Sequence, residues 1–257
     1  MRSTQMNVAL IQFAPKLNRS NLQEVLAIVK RHEAADVVIF PELALSGYML
    51  QDKLFEDAWN VDELQELCIA SLQCDIAIGA ALWDDGKVYN SALYFSGGEL
   101  IHIHHKNHLP TYGMFEEGRY FAAGHEIKAF DTDHGKTAMV VCEDLWRAQT
   151  LADLAACDAD VIYVLAASPA RDFGEDGLLI ERQWDALLKS CALLTHAYVV
   201  FVNRVGFEDG LGFWGGSRVI TPLGESEHIL GVLDTQEKVV SLNHTLQKLQ
   251  RYIVKHS

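Results

Sequence analysis

Residues 7–40, NVALIQFAPKLNRSNLQEVLAIVKRHEAADVVIF, hold the alternation that decides the fold class. Asn7 to Phe13 alternates apolar and polar side chains, the period of a strand. Leu22, Val25, Leu26 and Val29 then recur at i, i+3, i+4 and i+7, the stripe of an amphipathic helix. Val37 to Phe40 is a continuous apolar run closed by Pro41, as expected of a strand buried on both faces.

The pattern repeats outward from this unit. Helical periodicity over 62–73 leads to a strand from Ile76 to Ala81, and Val88 to His105 reads as a β-hairpin turned at Ser96-Gly97-Gly98. A second strand pair flanks the turn 131–136, with Thr137 to Val141 running into Cys142. Beyond it we expect a helix near 147–157, a strand from Val161 to Ala166, a helix near 178–195 and a strand from Tyr198 to Val202. Strands follow around 217–221 and 228–233, and the tail 234–255 reads as one more helix or a swapped arm. Strands flanked by helices, with hairpins inserted, imply an α/β protein whose helices cover mixed sheet. No repeat, low-complexity linker or shift of composition divides residues 1–257, so one domain is expected.

A chain of 257 residues with 49% hydrophobic and 22% charged side chains can bury a core without disulfides or a structural metal. Its 21 Lys and Arg against 35 Asp and Glu leave a net charge of −14, which argues against nucleic acid or an anionic membrane as partner. No apolar run approaches the roughly 20 residues of a membrane span, and the start MRSTQMNVALIQF has no secretory h-region. Five scattered cysteines without a CxxC pair make a poor disulfide framework, so a reducing cytoplasm is the expected location.

Four segments place chemistry at inferred strand ends, where open α/β sheets bind ligands. Glu42 follows a buried strand in Pro41-Glu42-Leu43, just ahead of Ser46-Gly47-Tyr48; a solvated loop carboxylate is the plain alternative. Lys106 ends an alternating strand and enters an aromatic loop, Tyr112 to Glu117; an edge lysine that blocks aggregation is its alternative. Cys142 closes the strand Met139 to Val141 and opens Glu143-Asp144-Leu145-Trp146, a position near a helix N-terminus that favours thiolate; most buried cysteines are inert. Asn203-Arg204-Val205-Gly206 and Phe213-Trp214-Gly215-Gly216-Ser217 are rich in glycine, which permits close backbone approach.

Other chemistries lack their residues. There is no GxGxxG turn after the first strand, no Walker lysine loop and no GxSxG elbow. His102, His104, His105 and His108 could suggest a metal, but His102 and His104 share one strand face while His105 takes the other, and carboxylate or cysteine partners at ligand spacing are lacking, so no metal is expected.

Taken together, Glu42 in PELALSGY, Lys106 in HHKNHLP and Cys142 in VVCEDLW resemble the Glu-Lys-Cys triad of the nitrilase, or carbon-nitrogen hydrolase, superfamily in order and in spacing, 64 and 36 residues. With YVVFVNRVGFEDGLGFWGGSRVITPLGE resembling that superfamily's late strand-loop-strand segment, the likeness spans residues 7 to about 233. LPTYGMFEEGRYF and CEDLW are most similar to the glutaminase domain of glutamine-dependent NAD synthetases. The resemblance implies a four-layer α-β-β-α sandwich and a cysteine-dependent amidohydrolase that needs no cofactor. It implies Glu42 as general base, Lys106 as oxyanion partner, Cys142 as nucleophile, the Glu143 N–H as second oxyanion donor and Glu117 as a second glutamate beside the lysine. Tyr48, Tyr112, Trp146 and Ser168 match positions that shape the glutamine pocket, and Arg171 or Arg182 would meet a substrate carboxylate. The ATP-using domain of those synthetases has no counterpart in this sequence, so either a separate ammonia-accepting synthetase or a free-standing amidase is expected. Nitrile or N-carbamoyl hydrolysis is the alternative chemistry, and a silent metabolite- or partner-binding scaffold the alternative class. The superfamily's habit of dimerising through outer helices points to the 147–157 and 178–195 segments and the tail.

Overall fold

The computed structural model describes residues 5–113, 115–174, 177–243, 245, 248–249 and 251–253. The opening unit folds as its periodicity predicts, into strand β1 (Gln5–Gln12), helix α1 (Asn21–Arg31) and strand β2 (Val37–Ile39). The short helices α2 (Leu54–Asp57) and α3 (Gln65–Ala70) precede β3 (Asp75–Asp84), β4 (Lys87–Ser96) and β5 (Glu99–His105). Gly97 and Gly98, at φ +59° and +92°, make the left-handed two-residue turn between β4 and β5. Helix α4 (Glu117–Tyr120), strands β6 (Phe130–Thr132) and β7 (Gly135–Val141), helix α5 (Ala148–Cys157) and strand β8 (Val161–Ala166) follow. A small pair, β9 (Phe173–Gly174) and β10 (Gly177–Leu178), leads into α6 (Leu179–Thr195) and β11 (Tyr198–Asn203). The chain continues through the hairpin β12 (Val205–Glu208) and β13 (Leu211–Trp214), then β14 (Arg218–Ile220), β15 (Ser226–Glu227) and β16 (Gln236–Asn243).

Two six-stranded sheets result, in the orders β16-β1-β2-β3-β4-β5 and β15-β14-β11-β8-β7-β6. Successive side chains of β1 point to opposite faces of the sheet, which sorts them between two cores. Val8 and Leu10 meet Met139, Val141, Tyr163, Leu165 and Val200 of the other sheet in an inter-sheet core. Ala9 and Ile11 face outward onto Leu22, Val25 and Val29 of α1 and Leu67 of α3. On the far side Val140, Ile162, Val164, Val199 and Phe201 pack on Leu154 of α5 and Trp184 and Leu188 of α6. Three cores between four layers make the α-β-β-α sandwich.

Strands β1, β2 and β3 run parallel, as do β7, β8 and β11. Strand β5 returns to the direction of β3 through two antiparallel pairings. The segments after β2, β5, β7 and β8 therefore emerge in common directions, which is what allows residues distant in sequence to converge at strand ends.

Three expectations need correction. The helix expected over 62–73 is a 3-10 turn, Val61–Leu64, followed by α3, which ends at Ala70. The strand expected at 228–233 is absent. Ser226 and Glu227 pair with β14 instead, His228 turns the chain away at φ +52°, and only Val232 forms a bridge, to Gly215. The tail is neither a helix nor a swapped arm where it is described through residue 243; β16 pairs antiparallel with β1 of its own chain. Val240 and Leu242 point into the inter-sheet core, and this tertiary burial overrides the helix-favouring Gln, Glu and Lys around them. Beyond β16 the described residues 245, 248–249 and 251–253 are helical, so the expected helix is found in the last part of the tail, while residues 244, 246, 247, 250, 254 and 255 lie outside the described residues. Among the described residues no helix is long and apolar enough to cross a membrane.

Candidate active site

Glu42 leaves β2 through Phe40 and Pro41 and is fully buried. Its position depends on Gly79 of β3, where a Cβ would lie 2.3 Å from the Leu43 nitrogen and 2.6 Å from the Glu42 Cα. Hydrogen alone fits there, a requirement that single-sequence reading missed although Gly inside a strand is its signal. The carboxylate Oε1 accepts from Lys106 Nζ and Asn90 Nδ2, both at 2.7 Å, and Oε2 accepts the Ala167 N–H at 2.6 Å. Asn90 was also missed; it stands with Ser91 as a buried polar pair in the middle of β4.

Lys106, one residue beyond β5, is buried as completely. Its ammonium donates to Glu42 Oε1 and to Glu117 Oε1, each at 2.7 Å. Burial by itself would discharge the amine, but Glu117 and Glu42 together outweigh it and hold its pKa well above the ordinary lysine value. Of the three N–H groups on an ammonium, one is left for a further acceptor. Glu117 also accepts the Tyr48 hydroxyl on Oε1 at 2.5 Å, whereas its buried Oε2 has no hydrogen-bond partner among the described residues. Burial raises the Glu117 carboxyl to about 7, with Lys106 opposing that rise and Glu42 adding to it.

Cys142 begins the turn that ends β7, in the left-handed region at φ +43°. For a residue with a Cβ this conformation costs about 1–3 kcal/mol and persists where its surroundings over-determine it. Asp144 supplies that constraint. Its Oδ2 accepts the Val141 N–H at 3.0 Å and stands 2.9 Å from His104 Nε2, while Oδ1 accepts the Asn107 and His108 N–H groups at 2.9 Å. One buried carboxylate thus ties the chain before Cys142 to the chain after Lys106. The expectation that a helix N-terminus favours thiolate at Cys142 does not hold. Cys142–Trp146 is a single 3-10 turn, and burial and Glu42 push the thiol well above its ordinary pKa against the pull of Lys106. The Ala167 N–H that serves Glu42 also bonds Cys142. A thiol held protonated in this way can act as a nucleophile only where a base removes its proton.

The remaining site candidates fall in several places. Tyr48 meets Phe115 and Phe213 edge-on, at 6.5 and 5.9 Å between ring centres. Tyr112 donates to Glu143 Oε2 at 3.0 Å, and Arg147 holds Glu143 Oε1 at 2.6 Å. Trp146 packs edge-on against Trp184 at 5.5 Å. Ser168 is buried, and its Oγ accepts the indole N–H groups of Trp184 at 2.9 Å and Trp214 at 3.2 Å, so its hydroxyl is spent mainly on the scaffold. Of the two arginines, Arg171 is near enough to Tyr112 for its charge to act on the phenol, whereas Arg182 lies on the exposed side of α6. His104 serves Asp144, His105 meets Asp84 and Ser91, and His102 stacks on Phe130, so these three histidines point to separate partners.

The chain is 30% identical over 227 residues to the glutamine-dependent NAD(+) synthetase of Acinetobacter baylyi, covering 85% of this chain and 40% of that protein. A probable nitrilase of Schizosaccharomyces pombe is 26% identical over 249 residues, 91% of this chain and 86% of its own length. The solved glutamine-dependent NAD+ synthetase of Acinetobacter baumannii superposes with a TM-score of 0.82 at 28% identity, over 95% of this chain and 46% of that one. A carbon-nitrogen hydrolase from Helicobacter pylori shares the fold, with a TM-score of 0.86 at 19% identity over 99% of this chain and 94% of its own. This chain spans about two fifths of the length of the Acinetobacter baylyi synthetase it matches. Residues 7–253 match the family described as Carbon-nitrogen hydrolase, and the chain belongs to that family.

Proposed function

We propose that this chain hydrolyses a small linear amide of the glutamine type to its acid and ammonia through a thioester on Cys142. The observation that carries the reading is the Lys106 ammonium held between Glu42 and Glu117, with Cys142 in the field of all three. Glu42 takes the thiol proton as sulfur attacks the amide carbon; the third Lys106 N–H and the Glu143 N–H hold the oxyanion. Collapse breaks the C–N bond, protonated Glu42 returns its proton to the leaving ammonia, and water then attacks the thioester by the same path. Ammonia leaves to solvent or to a separate synthetase.

A glutamine-like substrate needs a cation for its α-carboxylate, because an unpaired buried charge costs several kcal/mol. Arg171, beside Tyr112, fills that role better than the exposed Arg182, and Glu143 offers a negative partner to the α-ammonium. Ammonia release across glutamine, asparagine, ω-amides, N-carbamoyl compounds and nitriles tests the reading. Glutamine-like amides are expected to lead, and Arg171→Ala to raise KM for glutamine about 10- to 100-fold, the worth of ~1.5–3 kcal/mol in a charged hydrogen bond. An unchanged KM rejects glutamine in favour of an uncharged amide, preference for nitriles rejects the amide, and silence across the panel leaves the scaffold.

The same reading makes the chain a homodimer through its outer helices, where Leu193 and Leu194 of α6 are 47% and 59% exposed. A monomeric mass by light scattering at micromolar concentration counts against it.

A further inference from the structure

The glycine-rich segment from Asn203 to Ser217 takes no part in the chemistry above, yet its hairpin reaches the site. Glu208, at the end of β12, is buried, and its Oε2 accepts the N–H groups of Tyr48 at 2.8 Å and Met49 at 3.0 Å. Its Oε1 accepts from Arg204 Nη1 at 2.7 Å, and Arg204 is 1% exposed. The guanidinium lies 4.1 Å over the Phe213 ring, and Phe213 packs against the edge of Tyr48. Gly47, at φ +83°, has no room for a side chain: a Cβ would stand 2.8 Å from Glu208 Oε1. Tyr48 is thus gripped at its backbone by Glu208 and at its ring by Phe213, and its hydroxyl shares the Glu117 oxygen that holds Lys106.

We infer that the buried Arg204–Glu208 pair is a positioning device that sets Tyr48 against Glu117 and thereby fixes where the Lys106 ammonium stands. The inference rests on the proposed amidase for its kinetic consequence and on geometry alone for its structural one. A surface ion pair would have no such reach. A buried pair whose carboxylate binds two consecutive backbone N–H groups defines the path of the loop it holds, and a misplacement on the order of 1 Å at a reacting group costs about 10²-fold in rate. Burial draws the Arg204 guanidinium below its ordinary pKa while Glu208, and also Glu42, oppose that fall, so the pair lies within the electrostatic reach of the site it braces.

A double-mutant cycle of Glu208→Gln and Tyr48→Phe tests this. It is read first as the rate at which iodoacetamide alkylates Cys142, then as kcat and KM on an amide that the wild-type protein turns over. Each single variant is expected to change the alkylation rate about 3- to 10-fold and lower kcat about 10- to 100-fold with KM nearly constant, and the double variant to match the worse single. Multiplying effects, or wild-type rates in Glu208→Gln, overturn the proposal. If Glu208→Gln fails to fold, Arg204→Met/Glu208→Met, which removes both charges together, takes its place in the cycle; unfolding of both makes the pair a fold element and also overturns it. Absence of wild-type turnover refutes the amidase reading, while the alkylation cycle still decides the brace.

Discussion

Cys142→Ala is expected to abolish ammonia release, a loss of about 10⁴-fold or more, while leaving the fold and its unfolding temperature nearly unchanged. The substitution removes one sulfur from a thiol that burial and Glu42 already hold protonated, so no buried charge is stranded. Asp144 keeps its four partners around the turn, and Glu42 keeps Lys106, Asn90 and the Ala167 N–H. Cys142→Ser should fail almost as badly, because its hydroxyl is far harder for a carboxylate to deprotonate than a thiol. Steady-state kinetics beside a thermal melt separate the outcomes. Turnover that survives in the alanine variant assigns the nucleophile elsewhere.

Lys106→Met should damage both activity and stability, and the pairing of the two losses is the informative result. Without the ammonium, an oxyanion loses a charged partner, worth roughly 10²–10³-fold in kcat. Glu42 and Glu117 then face one another in a dry site, and breaking such a buried ion pair costs about 3–5 kcal/mol. Adding Glu117→Gln to Lys106→Met removes one stranded charge, so it should restore part of the stability and none of the rate.

The stability loss also has a defined pH dependence. Even with the lysine present, burial raises the Glu117 carboxyl to about 7, above its value in the unfolded chain. A carboxyl with a raised folded pKa holds its proton more tightly when folded, so the stability this proton confers is complete below the unfolded pKa and is lost as pH climbs through the folded one. Removing Lys106 takes away a group that opposes this rise. Denaturant titrations should therefore find the deficit of Lys106→Met wider at pH 8.5 than at pH 5.5. An equal deficit at both, or a wider one in acid, contradicts the stranded-carboxylate account.

Much of the fold was legible in single residues because burial leaves a period. Leu22, Val25 and Val29 assign the stripe of α1 without knowledge of their partners, whereas Val8 to Ile11 are apolar throughout and only the structure sorts Val8 and Leu10 from Ala9 and Ile11. The misreadings fall where local composition and tertiary pairing disagree. Gln236–Asn243 has the charge of a surface helix but becomes an edge strand, because Val240 and Leu242 complete the core beside β1.

The site divides along the same line. The sequence by itself determined the fold class and placed Glu42 and Cys142 just beyond apolar strands and Lys106 at the end of an alternating one, since a strand's end is a local pattern that survives without neighbours. Only the tertiary structure decided that Asp144 ties the Cys142 turn to the loop after Lys106, and that Gly79 leaves room for the Glu42 backbone. It alone also set the protonation of Cys142, reversing the thiolate that its sequence position favoured, and brought Glu208 to the backbone of Tyr48 from 160 residues away. Periodicity records which way a side chain faces. Desolvation, ion pairing and the approach of distant backbone depend on which strand lies opposite, and that is a property of the assembled sandwich.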